Sequence, residues 1–170
     1  SPQEAAELGR QLEPYQLESL EQPIPAEPLA DAAWLRKQTS TPIALNESVT
    51  DPASVWEILQ AGAAEFLLPD TYAAGGMLPC VKIGHLGEAA GVPVIMHCGH
   101  DMGPKTAAMV QIAAACPAYS LANDSTYYGL EDDITLEPLP IEQGRIRVPD
   151  KPGLGVEGDP EKIAHYRVDI

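Results

Sequence analysis

The stretch Gly91-Val-Pro-Val-Ile-Met-His97, followed by Cys98-Gly-His-Asp101, holds the pattern that decides the fold. A short apolar run ends in a histidine, and glycine and polar residues follow it. Such a run is typical of a buried β-strand that carries a titratable side chain into a loop. The same design recurs at five places in the chain, and each time the predicted strand ends in a residue that can bind a metal or transfer a proton.

The five predicted strands are joined by segments of helical composition. The strands cover residues 17–21, 42–45, 65–68, 92–96 and 119–122, and the helices cover residues 3–13, 28–38, 51–61, 78–90 and 104–115. Ser1-Pro2 and Asp51-Pro52 are typical helix N-termini. This alternation predicts a run of βα units and a parallel sheet, whose apolar strands are covered on both faces. After Leu130 the pattern changes, with a short strand predicted at 145–148 and a helical turn at 159–166.

Composition and charge exclude several classes of protein. The chain has 170 residues, of which 45% are hydrophobic, enough for one globular domain. No apolar run approaches the ~20 residues of a membrane span, and the start lacks the features of a signal peptide, so we expect a cytoplasmic protein. The net charge of −15 argues against nucleic acid or membrane partners. Cys80, Cys98 and Cys116 are predicted to be free thiols.

The residues at the strand ends are spaced at regular intervals. They are 26, 23, 27 and 26 or 27 residues apart: Glu21, Glu47, Asp70, His97, and Asn123 or Asp124. In a parallel barrel the carboxyl ends of the strands share one face, where active sites lie. We therefore expect residues that are distant in the sequence to line one pocket.

A metal site and an acid–base pair are predicted among these residues. Glu21 and Glu47 end adjacent strands and suit a hard cation such as Mg²⁺, which takes oxygen ligands. Asn46 could supply a carbonyl oxygen in place of Glu47, so the second ligand stays open between the two. Asp70 beside His97 would set the tautomer of the imidazole and raise its basicity, which makes His97 a candidate general base.

Two further residues lie near His97 in the sequence. The motif His97-Cys-Gly-His100 resembles half of a zinc site, but no second pair of soft ligands follows at a useful spacing, so zinc is not expected. Lys105 is near the start of a predicted helix, and we expect its side chain to face solvent.

The ordered motifs resemble the enolase superfamily, and within it the branch of mandelate racemase and the glucarate dehydratase-like acid-sugar dehydratases. Leu17-Glu-Ser-Leu-Glu-Gln-Pro23 and Pro42-Ile-Ala-Leu-Asn-Glu-Ser48 resemble its strands that carry metal ligands. Pro69-Asp-Thr-Tyr-Ala-Ala-Gly-Gly76 and Val92-Pro-Val-Ile-Met-His97 resemble those that carry the catalytic Asp and His. Val148-Pro-Asp-Lys-Pro-Gly-Leu-Gly155 resembles the C-terminal signature of the family.

The resemblance implies a reaction and roles for the residues. A divalent metal, normally Mg²⁺, binds the carboxylate of a small substrate, a base removes the α-proton, and the metal stabilises the enediolate. The ligands would be Glu21 and Glu47 or Asn46. The catalytic residues would be His97, Asp70 and Asp124, with Asn123 and His100 as substrate-binding residues. The reaction predicted in this way is dehydration of a sugar acid by a hydro-lyase.

The resemblance also implies an incomplete barrel. Members of the family have a (β/α)7β barrel and an N-terminal capping domain, and an eight-stranded barrel needs about 250 residues. We expect residues 1–130 to form strands four to eight, and residues 131–170 to pack back on the barrel or the cap. The complete enzyme is expected to be a homo-oligomer. The alternatives are a racemase, an epimerase or a cycloisomerase of the same superfamily, or a non-catalytic assembly module.

Overall fold

Helices and short strands alternate as far as Ala90 in the computed structural model, which describes residues 1–168. The helices are α1 (Pro2–Leu12), α2 (Leu29–Leu35), α3 (Pro52–Ala61), α4 (Met77–Ala90), α5 (Gly103–Ala115) and α6 (Pro160–Tyr166). The strands are β1 (Leu20–Glu21), β2 (Ile43–Leu45), β3 (Phe66–Leu67), β4 (Ile141–Glu142) and β5 (Arg145–Ile146). Single 3₁₀ turns cover Glu13–Tyr15 and Tyr127–Gly129.

Two helices begin at the N-cap residues that the sequence predicts, Ser1 and Asp51. The Ser1 hydroxyl accepts a hydrogen bond from the N–H of Glu4, and the Glu4 carboxylate accepts one from Ser1 in return. Asp51 and Ser54 form the same reciprocal cap at α3. These caps satisfy N–H groups that have no partner within the helix. The two predicted N-termini are therefore confirmed.

The strands β1, β2 and β3 form a parallel sheet in sequence order. Leu20 pairs with Ile43 and Glu21 with Ala44, and β2 and β3 continue in the same register. All three residues of β2 are buried, as expected when helices cover a parallel sheet. The predicted βα order is thus present in this part of the chain.

Of the five strands predicted before Leu130, three are regular within residues 1–168: β1, β2 and β3. The segment of residues 92–96 is reduced to one parallel bridge, between Leu67 and Val94, and residues 119–122 form no strand. For the fifth segment the physical reason lies at Met96, whose N–H donates to the side-chain oxygen of Asn123 (2.7 Å) and not to a backbone carbonyl. The N–H of Asp124 still donates to the Met96 carbonyl (3.1 Å), so the fifth segment follows the fourth without a regular ladder.

The core lies between the sheet and the helices that follow its strands. Its largest fully buried side chains include Leu35, Ile43, Leu45, Ile58, Leu67, Ile83, Met96 and Ile112. The three cysteines are free and buried, as predicted. Gly91 ends α4 with a φ of 68°, a conformation that only glycine adopts readily, and it turns the chain towards Val94.

The C-terminal part packs around α5. Ala107 of α5 forms a second buried cluster with Tyr127 and Leu139. Gln111 donates a hydrogen bond to the carbonyl of Pro149 (3.1 Å), and the predicted strand at 145–148 is the two-residue β5, paired with β4. Within residues 1–168, no helix has the length and apolar character needed to cross a membrane.

Candidate active site

Four of the predicted site residues lie on one side of the sheet. The parallel register sets Glu21 level with Ala44, and Leu67 level with Val94. The contacts of His97 with Glu21 and Asp70 place these three side chains together at the carboxyl ends of the strands. Because side chains alternate along a strand, Asn46 continues the face of Ala44, the residue that is level with Glu21. Glu47 follows Asn46 and is directed the other way, where its side chain is exposed. The geometry thus favours Asn46 over Glu47 as the partner of Glu21.

The imidazole of His97 lies between two carboxylates. Its Nε2 is 3.4 Å from Oε1 of Glu21, and its Nδ1 is 3.3 Å from Oδ2 of Asp70. The ring is 23% exposed, so it is held by neighbours but open to a small molecule on one side. A carboxylate on Nδ1 favours the tautomer with the proton on that nitrogen. In that tautomer Nε2 carries the lone pair that a general base requires, and Glu21 is the group that faces it.

The Asp70 carboxylate is held by three donors. Besides His97, the N–H of Tyr72 donates to Oδ1 (2.6 Å) and the ammonium of Lys105 donates to Oδ2 (2.8 Å). Burial alone would raise the pKa of the Asp70 carboxyl, but the hydrogen bonds from Lys105 and Tyr72 outweigh burial and lower that pKa. Asp70 is therefore ionised at neutral pH and acts as an acceptor towards His97.

Lys105 does not face solvent, and that prediction was wrong. Its ammonium lies 2.8 Å from Asp70 and 2.8 Å from Asp101, and its side chain is only 25% exposed. The reason is that α5 begins at Gly103, so close behind His97 that the first turn of the helix points back to the strand ends. Asp101 and Lys105 are four residues apart, a spacing at which opposite charges meet on a helix. That spacing was the signal in the sequence.

The oxygen atoms near Glu21 are of the type that a hard cation binds, but they supply only some of the ligands that such an ion needs. Glu21 and Asn46 provide oxygen atoms on one face, and Mg²⁺ commonly takes one or two protein carboxylates and completes its shell with water. Asn46 donates through Nδ2 to the carbonyl of Leu68 (2.7 Å), which leaves its Oδ1 as a potential ligand. Between residues 1 and 168 there is no group of three or more His, Cys, Asp or Glu side chains placed to hold a metal. The described residues therefore supply part of a ligand set.

Asn123 and Asp124 lie beside the strand end of His97, but each has a local contact. The side-chain oxygen of Asn123 accepts the hydrogen bond of the Met96 N–H, so this atom serves the backbone and not a substrate. Both residues are exposed. Asp124 lies against the Cys98 thiol, whose pKa rises to about 11, first because of burial and then because of the Asp124 charge. Cys98 is therefore a neutral thiol at physiological pH.

His100 lies on the loop between His97 and α5. Its side chain is exposed, in contrast to the partly buried ring of His97. The loop itself is held by Asp101, which accepts a hydrogen bond from the N–H of Gly99 (3.0 Å). His100 is thus at the rim of the site and outside the chain of contacts from Glu21 to Lys105.

Comparison with known proteins places the chain among relatives that share its fold. The family model described as "Enolase C-terminal domain-like" matches residues 1–162. A protein of Streptomyces coelicolor named "Probable glucarate dehydratase" is 35% identical over 160 residues, which cover 94% of this chain and 36% of that protein. The D-xylonate dehydratase of Haloferax volcanii is 32% identical over 167 residues, covering 97% of this chain and 40% of that protein.

A solved structure agrees with these matches. The crystal structure of an enolase from Streptomyces coelicolor has a TM-score of 0.90 and 32% sequence identity, and the match covers 98% of this chain and 43% of that one. The chain therefore spans about two fifths of the length of these relatives.

Proposed function

Because this chain belongs to the enolase C-terminal domain-like family and shares its barrel-like fold, we propose that it carries the acid–base residues of a Mg²⁺-dependent enzyme that dehydrates a sugar acid or a related hydroxy acid. The observation that carries this proposal is the position of His97, with Glu21 on one ring nitrogen and Asp70 on the other. Relatives named as dehydratases of sugar acids support it. The activity is proposed for the whole protein, because the relatives named above are longer than this chain.

His97 is the proton-transfer residue in this proposal. The proton α to a carboxylate is a weak acid, so a base must reach it at hydrogen-bond distance. Nε2 of His97 takes this proton, and Asp70 orients the ring through Nδ1. The protonated Nε2 then returns the proton to the β-hydroxyl, which leaves as water. The product is an enol that rearranges to a 2-keto-3-deoxy acid, and His97 is back in its initial state.

A Mg²⁺ ion would be held by Glu21 together with Asn46 or Glu47 and by ligands outside this chain. When bound, it would polarise the substrate carboxylate and offset the negative charge that develops as the α-proton leaves. Glu21 would then turn its carboxylate from His97 to the ion, which frees Nε2 for the substrate. The register favours Asn46 for the second position, because this residue shares the face of Glu21.

The substrate would be a small carboxylate with several hydroxyl groups. In the proposal Asp124, Asn123 and His100 lie around the substrate: Asp124 accepts hydrogen bonds from its hydroxyl groups, and Asn123 and His100 hydrogen-bond to its hydroxyl or carboxylate oxygens. Asn123 retains its Nδ2 for this purpose, since its Oδ1 is bonded to Met96. In this arrangement these polar side chains bind the oxygen atoms of the substrate, while the carbon that loses its proton lies near His97.

The test uses the full-length protein that contains this chain. It is incubated with Mg²⁺ and a panel of acid sugars, and 2-keto-3-deoxy acid is detected by NMR. His97→Asn keeps a side chain that can hydrogen-bond but removes the base, and we expect it to abolish turnover and exchange of the α-proton with solvent. His85→Asn, at an exposed position of α4, is the matched control and should leave turnover unchanged.

The products also separate the alternatives. An epimer without loss of water would indicate a racemase or epimerase, and a lactone opened or closed without water loss would indicate a cycloisomerase. Wild-type turnover in His97→Asn would refute the role of His97. No turnover of any acid by the wild-type protein with Mg²⁺ would favour a non-catalytic module.

A further inference from the structure

Lys105 connects two carboxylates that approach it from different segments. Asp70 follows β3, and Asp101 lies on the loop after His97, yet both are 2.8 Å from the Lys105 ammonium. The three side chains are mostly shielded from water: Lys105 is 25% exposed, Asp70 14% and Asp101 13%. A charged group with this little exposure is held at its place by its partners, because an alternative rotamer would leave a shielded charge unpaired.

The contact with Lys105 falls on the same oxygen that faces His97. Oδ2 of Asp70 accepts from Lys105 at 2.8 Å and lies 3.3 Å from Nδ1 of His97, while Oδ1 accepts from the N–H of Tyr72. Of the two contacts of Oδ2, the shorter is the one to Lys105, and hydrogen bonds between charged groups are the stronger ones. The Tyr72 N–H holds Oδ1 and the ammonium holds Oδ2, so the two together set the rotation of the carboxylate that faces the imidazole.

Asp133 holds the first residue of the helix that carries Lys105. The N–H of Gly103, the first residue of α5, donates to Oδ1 of Asp133 (2.8 Å). A side chain at Gly103 would collide with this carboxylate, so helix and carboxylate are in close contact. Asp133 is buried and also accepts from the hydroxyl of Tyr127 (2.7 Å). The first turn of α5, and with it Lys105, is thus fixed by residues that follow the barrel-like part.

We propose that Lys105 is a positioning residue for the acid–base pair, which acts by holding the Asp70 carboxylate against Nδ1 of His97. The proposal rests on the proposed function of His97 as a base. Lys105 does not exchange protons with the substrate in this view. Loss of Lys105 releases the Asp70 carboxylate, and the imidazole is then no longer held in the tautomer that carries its proton on Nδ1.

The test compares Lys105→Met, Lys105→Arg and Lys82→Met in the full-length protein. Lys82→Met is the matched control, because Lys82 is an exposed lysine in the middle of α4. The first readout is the tautomer of the His97 ring, measured by ¹⁵N NMR with labelled histidine well above the ordinary imidazole pKa of about 6.5. The His97 signal is assigned by its loss in His97→Asn, and Asp70→Asn gives the spectrum of an imidazole without its carboxylate.

In Lys105→Met we expect the ring spectrum to move towards that of Asp70→Asn, while Lys105→Arg and Lys82→Met keep the wild-type spectrum. A Lys105→Met spectrum identical to the wild type, with Asp70→Asn shifted, overturns the proposal. This readout needs no substrate, so it stands or falls separately from the proposed dehydration.

The second readout is steady-state kinetics with whichever acid the protein converts. Removal of a group that orients an imidazole from behind typically costs about 10- to 100-fold in activity. We expect a decrease of this size in kcat for Lys105→Met with little change in KM, and recovery of most of the loss in Lys105→Arg. A rise in KM with unchanged kcat would instead mean that Lys105 contacts the substrate, and would overturn the positioning role.

Discussion

Asp133 offers a sharp test of how the C-terminal segment supports the site. Its side chain is 6% exposed, and the carboxylate accepts from four donors: the N–H groups of Gly103 and Ile134, and the hydroxyls of Tyr127 and Thr135. Replacement by alanine removes all four acceptor contacts. The Gly103 N–H and the Thr135 hydroxyl, in a side chain that is 1% exposed, would be left without this partner in a place that water hardly reaches.

The magnitude follows from these contacts. A hydrogen bond to a charged acceptor contributes about 1.5–3 kcal/mol, but four such values cannot be added, because burial of the carboxylate itself costs several kcal/mol. Asp133 is the charged member of this network and its four donors are neutral, so its removal leaves no unpaired charge. A buried donor left without its partner costs about 1–3 kcal/mol. We therefore expect the free energy of unfolding to fall by at least about 1–3 kcal/mol in Asp133→Ala, out of the roughly 5–15 kcal/mol available to a domain.

Urea unfolding followed by circular dichroism measures this loss as a lower midpoint at unchanged slope. Asp132→Ala is the matched control, since Asp132 is the neighbouring carboxylate but binds Lys162 at the surface. Its effect should be much smaller. A loss below about 1 kcal/mol in Asp133→Ala would refute the reasoning, because it would mean that the buried donors find other partners.

The remaining predictions concern the metal and the pH. In the full-length protein, Glu21→Gln and Asn46→Ala should each weaken Mg²⁺ binding in calorimetry, while Glu47→Gln should have little effect; unchanged affinity in the first two would mean that the ion binds elsewhere. Stability should also fall in acid. Burial alone would raise the pKa of the Asp133 carboxyl, but hydrogen bonds from hydroxyl and N–H groups lower it below its usual range. Its contribution is therefore present above the unfolded-state pKa of about 3.9 and is lost as the pH falls through the lower folded-state pKa. Asp133→Asn should show a shallower loss of the urea midpoint below about pH 4, and equal slopes in the two proteins would contradict this assignment.

Much of the fold and part of the site could be predicted from short stretches of sequence. The caps at Ser1 and Asp51 depend on side chains within three residues, so their chemistry is readable locally. The βα alternation and the strand ends at Asp70 and His97 follow from apolar runs and their spacing. The structure brings these two residues together, as the shared face of parallel strands requires. The loss of the fifth predicted strand was not predictable in this way, because the pairing at Met96 depends on the side chain of Asn123.

By itself, the sequence determined the order of elements, the family resemblance and the set of residues from which the site is made. These properties depend on patterns of a few residues or on motifs that recur in order. Only the tertiary structure decided which groups meet: that Glu21 lies against Nε2 of His97, that Lys105 turns inward to Asp70, and that the N–H of Gly103 bonds to Asp133. The physical reason is that contacts across about 20 to 35 residues depend on the strand register and on the exact start of α5, and neither of these is encoded in any single stretch.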